Sequence, residues 1–458
     1  MTFLTSYLSP EFAPSAIPSL AEMNSATQTI HQGVDQRIKR TKEPYLHPDG
    51  PTVQTDLFGS TQMIQWQEQK GARSMLGEDC WSDLPQIYGR YATSYGNDVI
   101  TEIKSIEKAA GVILTDCGMQ ATAILQDVLL RPGGHAIMSR QVYNKSKAYL
   151  NWVGQRMGVE TTIVEELTAE SLKAKCTPQT TLVFAETFTN PLMNALDLKS
   201  ISDAIVELRK TAPEIRLGID NTIATPWGVR DPLLSYPGID AVVSAGTKAM
   251  GGQDRDMWGY IASNRTNLLN EAMDIQAMRG GVLAWRSALS VKESLAQAQS
   301  NFELRCANAQ AVVQFLDLHP LIESVFHPMS SSYRHASVFA AQYTLGGSLL
   351  SFRVKDLDEN HTMHFCDVLA LTNVFRYALS FDGLVSKVNH HKSVSEYYTP
   401  PPLMKKQGID RLVRLGLGCE ASEDLIACLN WALWNHQKWS QQDVIQAQRQ
   451  RISQLGLP

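Results

Sequence analysis

The segment Ala241–Gly259, AVVSAGTKAMGGQDRDMWG, is the clearest fold signal in the chain. A short apolar and β-branched run ends at Ser244 and predicts a buried strand, and a single lysine, Lys248, follows it. A buried strand end disfavours an ammonium ion, because desolvation favours the neutral amine, which is the nucleophile that reacts with carbonyl cofactors. The competing interpretation is that Lys248 is a solvated surface charge, as most lysines are.

The composition is that of an ordinary globular protein. The 458 residues are 44% hydrophobic and 19% charged, which allows two or three domains with a sizeable core. The net charge of −5 does not indicate a nucleic-acid or anionic-membrane partner. A small-molecule ligand is therefore expected.

The cysteines and the N-terminal residues indicate a reduced, cytoplasmic protein. Seven cysteines are scattered without a C-x-x-C pair, which predicts free thiols rather than disulfides or a zinc site. The chain starts without a basic n-region and has no apolar run long enough to span a bilayer, so neither secretion nor membrane association is expected. The pairs His361/His364 and His390/His391 lack the carboxylate or cysteine spacing of a metal site, so no metal is expected.

The order of the elements predicts an α/β fold. Residues 1–95 are polar and weakly periodic, which is typical of an arm rather than a domain. Residues 96–290 alternate strands with helices and predict a large domain, with a mostly parallel sheet covered on both faces. Residues 291–458 begin with a long helix and continue in shorter segments, which predicts a smaller C-terminal α+β domain.

Polar residues collect where the predicted strands end. They are Glu186, Asn190, Asp220, Asn221, Thr247 and Lys248. Ligands bind outside the carboxyl ends of such strands, so these side chains predict one convergent site. A second signal is the strand–glycine–helix junction at Gly118, which aims backbone N–H groups at an anion. For Asp220 alone, the alternative is a helix or turn cap.

Several short motifs follow one another between about Tyr88 and Leu433. They are YGR (Tyr88–Arg90), CGM (Cys117–Met119), the turn at Tyr143, ETFTNP (Glu186–Pro191), IDNTIATP (Ile219–Pro226), the serine of SFDG (Ser380) and VRLGLGCE (Val413–Glu420). With Lys248, this ordered set resembles the Cys/Met-metabolism family of pyridoxal-phosphate (PLP) enzymes. That family contains cystathionine γ-synthase, cystathionine γ-lyase and methionine γ-lyase.

The resemblance implies a fold-type I PLP-dependent transferase fold, with pyridoxal 5′-phosphate bound by the large domain. It implies that Lys248 binds the cofactor covalently and acts as the base, and that Asp220 keeps the ring nitrogen protonated. Tyr143 would stack on the ring and act near the leaving group. The phosphate would be held by Gly118, Met119 and Thr247, together with Tyr88 and Arg90 from the arm of a neighbouring subunit.

The resemblance also implies the substrate contacts and the assembly. An amino-acid substrate would contact Arg414, Ser380, Asn190 and Glu186, with Arg414 on its α-carboxylate, since a planar guanidinium matches two carboxylate oxygens. Because a neighbouring subunit completes each site, a homo-oligomer is expected, of the homotetrameric, dimer-of-dimers type.

The expected reaction is γ-elimination from an L-amino acid with a leaving group at Cγ. The substrate would be a sulfur- or O-substituted homoserine, or an unusual analogue such as canavanine or a halogenated allylglycine. A γ-replacement synthase and a non-catalytic relative remain alternatives. Three positions depart from the family pattern: Ala245 replaces a serine, Gln253 replaces a histidine, and Lys145 stands where a small residue or cysteine is common.

Overall fold

The computed structural model describes residues 46–47, 50–51, 89–91, 93–251, 253–396 and 400–454. Within them, β1 (Leu46–His47) and β2 (Gly50–Pro51) form a small ladder, and two larger sheets each carry a hydrophobic core. Tyr88 and most of the predicted arm lie outside the described residues.

The larger sheet has seven strands. They are β3 (Gly111–Thr115), β4 (His135–Ser139), β5 (Glu160–Val164), β6 (Thr180–Glu186), β7 (Arg216–Asp220), β8 (Ile239–Ser244) and β9 (Gly259–Ser263). Their order across the sheet is β3-β9-β8-β7-β6-β4-β5. Only β9 runs antiparallel to its neighbours, so the sheet is mostly parallel, as predicted, and the parallel strands end at one edge.

Helices cover both faces of this sheet because both faces of its central strands are apolar. One face packs against α2 (Gly118–Leu129), α3 (Asn144–Met157) and α7 (Thr266–Arg279). The other face packs against α1 (Ser94–Glu107), α4 (Ala169–Lys175), α5 (Leu198–Leu208) and the first half of α8 (Trp285–Leu318). A short helix, α6 (Thr225–Gly228), follows β7.

The smaller sheet has five strands in the order β10-β11-β14-β13-β12. They are β10 (Ile322–Phe326), β11 (Leu349–Val354), β12 (Arg376–Tyr377), β13 (Lys387–His390) and β14 (Val413–Gly416), and all pairings except β12–β13 are antiparallel. The helices of this region are α9 (Ala336–Gln342), α10 (Glu359–Ala370), α11 (His391–Ser395), α12 (Pro401–Gln407), α13 (Ser422–Asn435) and α14 (Gln441–Gln454).

Helix α8 belongs to both cores. Its first half contributes Ala288 and Leu295 to the core of the larger sheet, and its second half contributes Val312 and Leu316 to the core of the smaller sheet. The predicted boundary at residue 290 falls inside this unbroken helix, so the division into domains stays a prediction. No helix in the described part of the chain combines the length and hydropathy needed to cross a bilayer.

The spacing of Ile100, Ile103 and Ile106 predicts an amphipathic helix over residues 99–110. The observed helix begins and ends earlier in the chain. It is α1, which begins at Ser94 because the Thr93 side chain accepts a hydrogen bond from the N–H of Gly96 at 3.1 Å. It ends at Glu107 because Lys108 adopts a left-handed conformation with φ of 54°. The hydrophobic pattern predicted the helix but missed its N-cap.

The last residue of α1, Glu107, is a buried acid. It is 1% exposed, and its Oε1 accepts a hydrogen bond at 2.6 Å from the hydroxyl of Tyr260, which lies on β9 with no exposed surface. Burial raises the pKa of Glu107 to about 7, although the hydrogen bond from Tyr260 opposes this shift. Folding therefore favours the protonated carboxyl.

We predict that Glu107→Gln removes a pH dependence of stability. In the wild type the unfolded carboxyl ionises near its ordinary pKa and the folded one at about 7. The free energy of unfolding should therefore fall as pH rises from about 4.5 to about 7, with a contribution from this group of ~3 kcal/mol. Urea unfolding at several pH values measures the difference between the two proteins, with the exposed Glu303→Gln as control. Parallel pH profiles for wild type and Glu107→Gln would contradict the prediction.

Candidate active site

The candidate site lies between the two sheets. On the larger sheet it begins where the parallel strands end, at Glu186, Asp220 and Ser244. The smaller sheet contributes β14, which carries Arg414, and the segment around Ser380. The fold therefore brings chain segments far apart in sequence to one edge, as parallel strand ends require.

Lys248 lies in the turn after β8 and points toward the smaller sheet. Its Nζ donates a hydrogen bond to Ser380 Oγ and lies 4.4 Å from the centre of the Phe381 ring. Burial lowers the pKa of this amine, the charge of Asp382 opposes that shift and the charge of Arg414 adds to it, and the resulting pKa is about 8. A substantial neutral fraction is thus present near physiological pH, as the sequence predicts for a strand-end lysine.

Arg414 is the buried cation of the site. It is 3% exposed, its Nη1 donates to Asn190 Oδ1 at 3.2 Å, and its Nη2 donates to the carbonyl of Leu379 at 3.0 Å. Burial lowers its pKa to about 10, so it remains charged at neutral pH. Its Nε is buried and has no partner among the described residues. A held guanidinium with an unused donor suits a carboxylate ligand.

Two acids, Glu186 and Asp220, share the strand-end edge. Glu186 Oε1 accepts the Tyr143 N–H at 2.6 Å, while Oε2 is buried without a described partner. Burial, and then the charge of Asp220, raise the pKa of Glu186 well above its usual value. Burial also raises the pKa of Asp220, but hydrogen bonds from Thr222 oppose that shift, one of them a backbone bond at 2.9 Å. The raised pKa of Glu186 favours its protonated form, while the hydrogen bonds from Thr222 favour the carboxylate form of Asp220.

The third part of the site is the start of α2 at Gly118. No side chain caps this helix, and a Cβ atom at Gly118 would overlap Ala245. A Cβ atom at Gly259 would lie 2.7 Å from Gly118 Cα, so three segments meet here with no room for side chains. A helix N-terminus approached this closely by backbone is suited to an anion such as a phosphate. Met119 follows in the first turn and is partly buried.

Two predicted phosphate contacts have other partners. The Thr247 hydroxyl donates to the Trp258 carbonyl at 3.1 Å and accepts the Trp258 N–H at 2.9 Å, so its only O–H is in use. Arg90 donates to the Ala277 carbonyl of its own chain at 2.8 Å. The phosphate roles of Thr247 and Arg90 therefore stay predictions, and Tyr88 lies outside the described residues.

Tyr143 lies at the N-terminus of α3 and is 41% exposed. Burial of the rest of the ring raises the pKa of its hydroxyl, the positive charge of Arg414 lowers it, and the charge of Glu186 raises it. Tyr143 thus lies within electrostatic range of Arg414, and its backbone N–H is hydrogen-bonded to Glu186.

Sequence reasoning missed a second lysine, Lys147, one helical turn after Tyr143. Its Nζ donates to the carbonyl of Arg140. Burial lowers its pKa, while Glu396 and Glu186 oppose that shift. The sequence could have indicated Lys147, because a spacing of four residues puts it on the same face of the helix as Tyr143. The lysine singled out from the sequence, Lys145, is exposed instead.

One histidine of each pair lies within hydrogen-bond distance of a neighbouring side chain. His361 Nδ1 lies 2.8 Å from Asp358 Oδ1, and His390 Nδ1 lies 2.6 Å from Ser393 Oγ. Within the described part of the chain, no group of three or more His, Cys, Asp or Glu side chains is placed to hold a metal ion.

These residues fit pyridoxal phosphate on three observations. The first is an amine of lowered pKa, and the second is the uncapped, side-chain-free start of α2 beside it. The third is a set of buried polar atoms without described partners, which includes Glu186 Oε2, Arg414 Nε and both amide atoms of Asn221. Such atoms are expected where a polar ligand completes the site.

Comparison with known proteins gives the same result. Residues 76–434 match the family described as Cys/Met metabolism PLP-dependent enzyme. An L-methionine γ-lyase of Porphyromonas gingivalis is 27% identical over 84% of this chain and 92% of its own length. A cystathionine β-lyase of Lactococcus lactis subsp. cremoris is 30% identical over 67% of this chain and 77% of its own length.

The fold also matches solved structures. The crystal structure of metB from Corynebacterium glutamicum superposes with a TM-score of 0.70 at 26% identity, covering 76% of this chain and 87% of that one. These matches confirm the α/β, fold-type I class expected from the sequence. The chain belongs to the Cys/Met metabolism family of PLP-dependent enzymes and is a lyase of that family that uses pyridoxal phosphate.

Proposed function

We propose that the protein catalyses γ-elimination from an L-amino acid that carries a sulfur or oxygen leaving group at Cγ. The observation that supports this most directly is the placement of Lys248 and Arg414 on one ring. The Lys248 Nζ and the Arg414 Cζ lie 4.4 and 5.6 Å from the centre of Phe381. This arrangement would place a base near the Cα hydrogen of an amino acid and a cation near its α-carboxylate.

Each side chain has a role in this proposal. When bound, pyridoxal phosphate supplies the electron sink that stabilises negative charge at Cα. Lys248 would hold the cofactor between turnovers. Its amine would accept the proton from Cα, return that proton to the cofactor-bound substrate, and only then accept a second proton from Cβ. Asp220 keeps the ring nitrogen protonated. Arg414, held by Asn190, binds the α-carboxylate.

The leaving group at Cγ requires a proton donor. Tyr143 is the proposed donor, because its pKa is raised and favours the protonated hydroxyl. Glu186 holds the Tyr143 backbone in place through its 2.6 Å hydrogen bond, and Ser380 holds the Lys248 amine. Relatives named methionine γ-lyase support the position of the leaving group.

Two other reactions are tested beside this one. In γ-replacement the leaving group departs from Cγ and an external nucleophile then bonds to that carbon. In γ-elimination no nucleophile adds, and the unsaturated product is hydrolysed to ammonia and 2-oxobutanoate. In β-elimination the leaving group is at Cβ, and the relatives named cystathionine β-lyase favour this second candidate. A non-catalytic relative is disfavoured, because the amine, the two acids and the arginine are all present in one place.

We predict that the protein with pyridoxal phosphate releases 2-oxobutanoate from Cγ-substituted amino acids. Methionine, O-acetylhomoserine, cystathionine and canavanine form the panel, and mass spectrometry of the products measures the outcome. Pyruvate from cystathionine would instead indicate β-elimination, and a thioether formed at the expense of ketoacid when a thiol is added would indicate replacement. Lys248→Ala should lower kcat by about 10³-fold or more. An unchanged rate in Lys248→Ala would contradict the proposal.

We predict that Gly118→Ala weakens cofactor binding. The added methyl would overlap Ala245 and move the start of α2 away from the phosphate. The dissociation constant for pyridoxal phosphate should rise by about 10-fold or more, because helix N–H contacts to an anion depend on close approach. Gly154→Ala in α3 is the matched control, since its methyl meets only ordinary contacts at 3.6 Å. Equal affinities in the two variants would count against the proposed phosphate site.

We also propose a cytoplasmic homotetramer with sites shared between subunits, on the sequence resemblance and the scattered cysteines. Arg90→Ala and Lys248→Ala should each be inactive at limiting cofactor, while co-refolded mixtures should recover activity. If the two variants pair at random, about half of the dimers are mixed, and each mixed dimer has one intact site. About a quarter of all sites should therefore be active. The control mixture, Lys248→Ala with Asp220→Asn, should recover nothing, because both changes affect the same subunit's part of the site. No recovery in the first mixture would refute the shared site.

A further inference from the structure

A second group of charges lies behind Lys248 and has no role in the chemistry proposed above. At its centre, Arg305 of α8 has no exposed surface, and its Nη1 lies 3.1 Å from Oδ1 of Asp382, which is 3% exposed. Arg305 Nη2 also donates to the carbonyl of Ala249 at 3.3 Å. One guanidinium therefore contacts the residue after Lys248 and the residue two positions after Ser380.

A second ion pair links the same two segments. The Lys387 Nζ donates to Asp254 Oδ2 and to the Asp382 carbonyl, and Ser348 Oγ donates to Asp382 Oδ1. Asp382 has a φ of 68°, a conformation that costs free energy unless its surroundings hold it. The turn after Ser380 is thus held from three sides.

Stability alone is a weak explanation for these pairs. Burying charges costs several kcal/mol per ion, and apolar replacements are often as stable. What the two pairs do fix is geometry, since one segment (residues 248–254) comes from the larger sheet and the other (residues 380–387) from the smaller sheet. The hydrogen bond between Lys248 and Ser380 joins the same two segments.

We propose that Arg305, Asp382, Lys387 and Asp254 form an ionic joint that positions the Lys248 amine against Ser380 and sets the electrostatic field at that amine. They are positioning residues, because they act through Lys248 and Ser380. The inference deepens the proposed function, since it rests on the role given above to Lys248.

The charges of the joint act on Lys248 in opposite directions. Asp382 and Asp254 raise the pKa of the amine, whereas Lys387 lowers it, as Arg414 does from β14. In the part of the chain that the structure describes, these four groups are the charges with the largest effects on the amine. If the joint sets the electrostatic field, neutralising an acidic member and neutralising a basic member should shift the pKa of Lys248 in opposite directions. A purely structural role would not give this reversal.

The experiment is a pH titration of the visible absorbance of the holoenzyme, which reports protonation of the Lys248 nitrogen. Asp382→Asn should lower the apparent pKa by about one unit, and Lys387→Met should raise it by a similar amount. Asp254 is half exposed, so Asp254→Asn should fold readily and lower the pKa by a smaller amount. Lys387→Arg keeps the charge and should return the titration toward wild type.

The matched control is Asp240→Asn. Asp240 is also a buried acid paired with an arginine, Arg209 at 2.9 Å, but it lies at the start of β8 rather than beyond its end. This variant should lower the melting temperature without moving the titration. If the apparent pKa moves in the same direction in all variants of the joint, or does not move in variants that fold, the proposed joint is wrong. A wild-type protein without a Lys248-dependent band overturns the proposed function instead.

Discussion

The desolvation of one amine between two sheets is the constraint on which the site depends. The larger sheet supplies Lys248 at its edge, but the side chains that cover Nζ, Ser380 and Phe381, belong to the smaller sheet. Neither core alone would hold the amine away from water. Helix α8, which packs into both cores, fixes the spacing between them. The low pKa of the lysine is therefore a property of the joined structure, not of its own strand.

The charges around this amine also couple binding to proton transfer. The positive charge of Arg414 lowers the pKa of Lys248 while the site holds no carboxylate. In the proposed function, a substrate carboxylate bound to Arg414 would offset that charge, so the amine would become a stronger base once the substrate is bound. Arg414 would then cease to oppose protonation of Lys248 at the point where the amine must accept a proton.

The sequence predicted the strand ends well because their signal is local. A buried run ending in Asp220 or Ser244 specifies which side chains reach the edge of a parallel sheet. Lys147 was missed because its role depends on which face of α3 meets Glu186, and the joint of Arg305 with Asp382 was missed because its members are 77 residues apart. Both depend on tertiary packing, which periodicity does not report. The predicted roles of Thr247 and Arg90 came from resemblance, and the structure gives both residues other hydrogen bonds.

The turn that carries Lys248 packs against Trp258. This fully buried indole lies so close to Gly246 that a Cβ atom there would overlap its ring, and Thr247 exchanges two hydrogen bonds with its backbone. The lysine turn is thus anchored to β9 on one side. On the other side, the Thr222 hydroxyl accepts the N–H of Ala245 at 2.8 Å, which ties the turn to the segment of Asp220. Because these hydroxyls hold the turn, the proposed phosphate would depend on the backbone N–H groups of α2 rather than on the hydroxyls of Thr222 and Thr247. A serine at position 245 is therefore unnecessary for holding this turn, and Ala245 instead lies against Gly118, where a Cβ atom would overlap it.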